Sequence, residues 1–278
     1  MDRHEFLGHL HRLLRPRNYL EIGVASGASL RLSHVPSIAI DPAFRIEYSL
    51  RCDVHLDRAT SDDFFSRPHP IRHLESGRNP LRNARRGRPL FDHWRGGTRL
   101  DLVFIDGMHL VEFALRDFMH VERYSDWGTV VAFDDMLPRD VDEAARDRHT
   151  DAWTGDVFKL MPVLAEHRPD LFVIPVDTEP TGILLVLGAD PASGVLAERY
   201  DAIVARWVGP DPQDVPSWVL GRQTAVSPDG LIASPLWADL ARARDRRKGR
   251  AAGRRLIEGH LASLGLTRSG RPTADPVP

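Results

Sequence analysis

Cysteine is nearly absent from this chain of 278 residues: Cys52 stands alone, so no internal disulfide can form. Lysine is almost as scarce, occurring only as Lys159 and Lys248. The basic side chains are otherwise arginine, which reads as the codon usage of a GC-rich genome before it reads as arginine chemistry. No long apolar run is present either. The longest near the middle, "GILLVLGA", is far short of the roughly 20 residues that span a bilayer. The start, "MDRHEFLGHLHRLL", lacks the unbroken apolar core of a signal peptide, and a cytoplasmic location is the expectation. Net charge is small as well. A formal value of -2 gives no global attraction to nucleic acid or to an anionic membrane, so any basic surface must be local. What remains is ordinary globular composition, 42 % hydrophobic and 27 % charged, with length enough for one main core and an extension.

Short apolar runs alternate with amphipathic segments from residue 18 to about residue 188, the pattern of βα units around a mostly parallel sheet. Seven strands are expected, at 18–24, 37–41, 52–56, 100–106, 129–135, 171–176 and 182–188. Only "DTEPT" separates the last two, too little for a helical crossover, so they should form an antiparallel hairpin at one edge. Between the fourth and fifth, "HLVEFALRDFMHVERY" places Leu110, Phe113, Ala114, Asp117, Phe118 and Val121 along one face of a crossover helix. The domain expected over 1–190 carries a basic insert at 67–99, where nine arginines face only Glu75 and Asp92, read as a loop or lid. Residues 191–278 form a helical extension, with one helix over 193–208, an arginine-rich stretch at 241–255 and a final dozen residues expected to be disordered. That arginine run has no aromatic residues interleaved with it, which argues against nucleic acid as a partner.

The first loop, in "YLEIGVASGASL", follows a strand ending on Glu21, turns at Gly23 and Gly27, and offers backbone N–H groups with Ser26 and Ser29 before the next element. Its spacing is glycine, three residues, glycine. That matches neither the dinucleotide fingerprint nor a phosphate-binding loop with its lysine. The second strand ends on Asp41, where a carboxylate can accept from both hydroxyls of a ribose. These residues together indicate a nucleoside cofactor carrying positive charge, although an ordinary βα turn would account for each glycine singly. The segment resembles the class I S-adenosylmethionine-dependent methyltransferases, in which an acid, a glycine, three residues and a glycine hold the methionine portion and a second acid holds the ribose. Glu21, Gly23, Gly27 and Asp41 match those positions. The resemblance covers roughly residues 10–190 and implies a Rossmann-like α/β fold with a seven-stranded, mostly parallel sheet. It also places Ser61 and Asp62, in "ATSDDFF", among the adenine contacts.

The fourth and fifth strands end in acids, Asp106 in "FIDG" and Asp134 and Asp135 in "AFDDM". As neighbours these would bring three carboxylates to one sheet edge, where they raise one another's pKa unless a proton or cation intervenes. A hard divalent ion such as Mg²⁺ is the natural occupant, and it would lower the pKa of a substrate hydroxyl. A turn or a helix cap would also account for Asp106, Asp135 or His109 taken singly. The arrangement is similar to the metal-dependent O-methyltransferases, whose metal-binding acids match Asp106, Asp134 and Asp135. His109 stands where the catechol type has a lysine base, which makes His109 the candidate general base beside Asp106. "FIDGMHLVEFALRDF", "FDDMLPRD" and "TGDVFKLMP" resemble a bacterial group related to the macrolide-sugar O-methyltransferases of secondary metabolism and glycan modification.

The expected activity is therefore transfer of a methyl group from S-adenosylmethionine to a hydroxyl of a small molecule or sugar, with a divalent metal assisting. Trp153 and "DTEPTG" fall on the acceptor side by position alone. Self-association stays open. A nicotinamide- or nucleotide-dependent oxidoreductase on a similar fold is one alternative, disfavoured by the glycine spacing. A noncatalytic nucleoside-binding partner subunit is another, and the three acids with His109 weigh against it.

Overall fold

A computed structural model describes residues 1–76 and 98–268; most of the expected basic insert, and the last ten residues of the expected tail, lie outside them. Seven strands form one sheet: β1 (Tyr19–Ile22), β2 (Ser37–Ile40), β3 (Val54–Asp57), β4 (Leu102–Ile105), β5 (Val130–Phe133), β6 (Phe172–Val176) and β7 (Ile183–Leu187). Their spatial order is β3-β2-β1-β4-β5-β7-β6. Neighbours from β3 to β5 are parallel, whereas β7 runs antiparallel to both β5 and β6. This is a Rossmann-like α/β sheet, with the expected hairpin at one edge and the strand count that the resemblance to class I methyltransferases implies.

The inner strands are buried on both faces, as crossover helices on the two sides of a parallel sheet require. Alternation sorts their side chains into two cores. Leu20, Ile22, Val103, Ile105, Val131 and Phe133 enter one, together with Phe64 and Phe65 of α2 (Ser61–Phe65) and Leu115 and Phe118 of α4 (Val111–Glu122). Tyr19, Leu102, Phe104, Val130 and Ala132 enter the other, against Phe6, Leu7, Leu10 and Leu14 of α1 (Arg3–Leu14). The short α3 (Arg72–Ser76) lies before the undescribed segment, and α5 (Leu160–His167) precedes β6.

Residues after 190 form α6 (Val195–Trp207), α7 (Ser217–Leu220), α8 (Pro228–Ala233), α9 (Leu236–Asp245) and α10 (Arg250–Ser263). Leu196 and Ile203 of α6 join the first core, whereas Trp237, Leu240, Ile257 and Leu261 join the second. Each such side chain contributes on the order of 1.5–3 kcal/mol of burial. The extension is thus bonded to both faces of the sheet through apolar packing. An ionic tie adds to it: buried Asp101, just before β4, accepts from Arg17 and lies 3.3 Å from Arg244 of α9.

Two helix starts position the site. Asp2 caps α1 by accepting from Glu5 N at 2.9 Å, a contact worth about 1 kcal/mol. Main-chain bonds from Arg3 N to Glu179 O and from Glu179 N to Met1 O then fasten that end beside the β6–β7 turn. At α4 the N-cap residue is Leu110, which has no side-chain acceptor. Asp156 supplies one from afar, accepting from Val111 N at 2.9 Å, and is itself held by Arg146 and Lys159. The expected face of α4 differs in two places: Phe113 lines a cavity and Leu110 caps the helix, whereas Val111 and Leu115 are the buried residues.

Candidate active site

Parallel register brings the carboxyl ends of the four middle strands into one row. Gly23 N donates to Ile40 O, Asp106 N to Ile22 O, Asp134 N to Ile105 O, and Asp41 N to Asp57 O. Above this row opens a cavity of about 690 Å³, within the range of ordinary small-molecule sites. Gly23, Asp41, Ser61 and Asp62 line one part of it; Asp106, His109, Asp135 and Trp153 line another. Pro180 and Thr181 of "DTEPTG" also reach it.

Gly23 is required by geometry. Its φ is +83°, and a Cβ there would lie 1.8 Å from the carbonyl oxygen of Asp106. The exits of β1 and β4 therefore touch backbone to backbone. Asp41 locks the same loop, its Oδ2 accepting from both Val24 N and Ala25 N at 2.8 Å while Oδ1 accepts from Ala43 N at 2.6 Å. Two of the loop amides expected to face a ligand are thus already satisfied. Oδ1 keeps a lone pair for a further donor.

Glu21, Ser26, Gly27 and Ser29, also expected at the cofactor, lie outside the lining of the cavity. Glu21 is fully buried, with Tyr19 Oη donating to Oε2 at 2.6 Å and Ser29 Oγ donating to Oε1 at 2.7 Å. They brace the loop from beneath. Burial pushes the Glu21 carboxyl up to about 8 against the pull of those two hydroxyls, with the charges of Asp106 and Asp41 adding to the rise. A raised carboxyl stabilises the fold fully below its unfolded value near 4.5 and loses that contribution as pH rises to about 8. Glu21→Gln is accordingly expected to lose less stability between about pH 5 and 8 than the wild type does. Urea unfolding across that range measures it, and parallel declines for the two proteins would show the expectation to be wrong.

The acids after β4 and β5 separate into two arrangements. His109 Nε2 lies 3.0 Å from Asp106 Oδ1 and 3.3 Å from Asp135 Oδ2, and one ligand atom from each of these residues falls within 4.8 Å of the others. Asp134 does not join them. Its buried carboxylate faces Arg3, whose Nη1 is 2.8 Å from Oδ2, a contact with the charge but not the angle of a hydrogen bond. Adjacent residues leaving a strand point opposite ways, and Asp135 turns further at φ +60°, so only one of the pair can face His109. Arg3 was not legible as a site residue, because nothing in its local sequence indicates that the Asp2 cap and the Glu179 contacts carry it here.

Trp153 O accepts from His109 Nδ1 at 2.8 Å, and the two rings stack with centroids 5.0 Å apart. Nε2 is left as the nitrogen that faces both carboxylates. Burial pulls His109 down, but the hydrogen bond and charge of Asp106 and the charge of Asp135 outweigh it and raise the imidazole to about 9. A neutral Nε2 lone pair would point at two anions. A proton or another cation belongs there, and with a proton in place the ring is a cation at neutral pH. Burial, then the charge of Asp106, raises both Asp134 and Asp135.

Asp62 lines the cavity but is engaged elsewhere, 2.8 Å from His120 Nε2 and 2.9 Å from Arg116 Nη2. Burial raises its carboxyl, yet those two partners hold it below the usual value. The Ser61 hydroxyl donates to Asp117, a buried acid on α4 that also lines the cavity.

No protein-family model and no curated protein matches the chain. Solved structures do show similarity. The O-methyltransferase TomG from Streptomyces achromogenes, involved in tomaymycin synthesis and solved in complex with SAM, is 21% identical over 67% of this chain and 79% of its own, with a TM-score of 0.39. A putative O-methyltransferase from Klebsiella pneumoniae is 17% identical over 67% of this chain and 79% of its own, with a TM-score of 0.39. A putative caffeoyl-CoA O-methyltransferase from Staphylococcus aureus is 15% identical over 68% of this chain and 84% of its own, with a TM-score of 0.41. Likeness at this level assigns no residue of the site. Among the described residues no helix is long and apolar enough to cross a membrane.

Proposed function

We propose that this protein is an S-adenosylmethionine-dependent O-methyltransferase acting on a hydroxyl of a small molecule or sugar. The observation that carries the reading is the continuity of one cavity from Gly23 and Asp41 to Asp106, His109 and Asp135. A nucleoside cofactor on the first set puts its reactive end within reach of the second. Gly23 allows close approach to the backbone, and Asp41 Oδ1 accepts from a ribose hydroxyl. The reaction forms an O–CH₃ bond as the S–CH₃ bond breaks. The sulfonium leaves as a neutral thioether, and the acceptor proton must go to a base. Positioning and deprotonation are then the protein's main tasks.

The donor set fits a divalent cation: two carboxylates and an imidazole whose other nitrogen is already anchored, the arrangement that orients a histidine ligand. Asp106, Asp135 and His109 Nε2 would hold it, and Asp134 joins them only by exchanging Arg3 for the ion. Bound there, a divalent ion such as Mg²⁺ supplies positive charge that favours the ionised form of an acceptor hydroxyl. His109 cannot hold the ion and act as the base at once, because Nδ1 donates to Trp153 O and leaves Nε2 the only free lone pair; as a base it would have to leave the ion to Asp106 and Asp135, whose charge otherwise favours its protonated form.

Calorimetry of S-adenosylhomocysteine on metal-stripped protein, repeated with Mg²⁺ and with Asp106→Ala, tests both parts. The cofactor product is expected to bind in all three, with a separate Mg²⁺ signal that the variant lacks. Absence of S-adenosylhomocysteine binding overturns the methyltransferase reading. A missing Mg²⁺ signal in the wild type, or its persistence in the variant, overturns the metal assignment alone.

A further inference from the structure

We propose that Asp117 reads the nucleobase of the cofactor, its Oδ2 accepting a hydrogen bond from the exocyclic amine of adenine. This rests on the S-adenosylmethionine reading above and deepens it.

Asp117 is an acid set in an otherwise apolar stripe of α4, between Ala114 and Phe118 on the buried face, and it is only 3 % exposed. A carboxyl in such a position is ordinarily paired with a cation. This one is not. Ser61 Oγ donates to Oδ1, and Oδ2 has no hydrogen-bond partner among the described residues. The nearby charges are Asp62 and Arg116, but these pair with each other, Asp62 also holds His120, and Arg116 donates to Tyr200.

Oδ2 is located by Gly107: a Cβ built on that residue would lie 3.0 Å from it. Gly107 and Asp117 both line the large cavity, and Oδ2 is unpartnered without being fully buried, which puts it at the cavity wall. Phe113, one helical turn earlier on the same face of α4, lines it too, with the Arg116 guanidinium over one side of its ring, and brings an aromatic group to the same wall. An aromatic group beside an unpartnered acceptor suits an aromatic ring that carries an N–H donor. Oδ2 is not among the fully buried atoms that lack a partner, so it meets solvent in the cavity, and a ligand amine would take the place of that water. Burial pushes the Asp117 carboxyl up to about 7 despite the Ser61 hydrogen bond, with the Asp62 charge adding to the rise. A donor approaching Oδ2 favours the ionised form, which is the form that accepts on both oxygens.

The sequence pointed to Asp62 as an adenine contact. His120 and Arg116 occupy that side chain, whereas Asp117 is the acid beside Ser61 with an oxygen to spare.

The test compares S-adenosylhomocysteine with S-inosylhomocysteine, in which a carbonyl replaces the amine. By calorimetry at about pH 8.5, where the Asp117 carboxyl is ionised, the wild type is expected to bind the adenine compound at least about tenfold more tightly, because the carbonyl would set acceptor against acceptor. Asp117→Leu, which keeps the side-chain bulk, is expected to bind the two within about threefold of each other, chiefly through weaker binding of the adenine compound. The wild-type comparison needs no folded variant. Equal binding of the two compounds by the wild type, or a preference that survives in Asp117→Leu, overturns the role of Asp117. A wild type that binds neither compound overturns the cofactor reading as well.

Discussion

Replacing Asp106 by alanine is expected to slow methyl transfer to a hydroxyl acceptor by about a thousandfold, with the affinity for S-adenosylhomocysteine within about threefold of wild type. The two expectations separate because Asp106 serves two neighbours through different atoms. Its main chain abuts Gly23, and its amide donates to Ile22 O, so the β1–β4 junction under the cofactor survives the substitution. Its carboxylate faces His109 Nε2, and that contact is removed. Two things are lost together. The cluster gives up one of its three candidate ligand residues, and His109 gives up the first partner that orients its ring. Initial rates with a hydroxyl acceptor, together with calorimetry of the same preparation, measure both quantities. Retention of the wild-type rate would remove Asp106 from the chemistry. Loss of cofactor binding along with the rate would move it to the nucleoside side of the cavity.

Much of the scaffold was readable without coordinates, for a physical reason. A sheet buried on both faces writes itself as short apolar runs, and a five-residue link forces an antiparallel turn, so all seven strands and the edge hairpin follow from local pattern. The row of acids at the strand ends follows in turn, since Asp41, Asp106 and the Asp134–Asp135 pair each end such a run. Orientation was not readable. Asp134 and Asp135 are chemically identical neighbours, and only the backbone turn at Asp135 decides that one meets His109 while the other is buried against Arg3. Long-range delivery was equally hidden. Arg3 arrives through bonds to Glu179, and Asp156 caps a helix that starts 45 residues earlier. Asp117 left a visible trace as an acid on an apolar face, but its meaning depended on Ser61 at the start of α2 and on Gly107 after β4.

Gly23 and Gly27 make the same point in energetic form, because the sequence presents them as equivalent loop glycines. Both have left-handed backbones, φ +83° and +81°, so alanine at either position carries a conformational cost of about 1–2 kcal/mol. Their surroundings differ. At Gly27 the nearest atom to an added Cβ is Ile46 Cδ1 at 3.1 Å, the end of a side chain that can rotate away. At Gly23 it is the Asp106 carbonyl oxygen at 1.8 Å, followed by the carbonyl carbon at 2.4 Å, and neither can move without parting the ends of β1 and β4. Gly23→Ala is therefore expected to cost at least about 4 kcal/mol and Gly27→Ala about 1–2 kcal/mol, both measured by urea unfolding. The larger loss has a functional counterpart. Parting those two strand ends shifts the glycine loop and Asp106 relative to each other, so Gly23→Ala protein that remains folded should bind S-adenosylhomocysteine at least about tenfold more weakly, whereas Gly27→Ala should bind it nearly as the wild type does. Equal losses of stability in the two variants would mean that backbone strain alone accounts for Gly23, and that the junction between the cofactor loop and the acidic cluster yields more easily than its contacts imply.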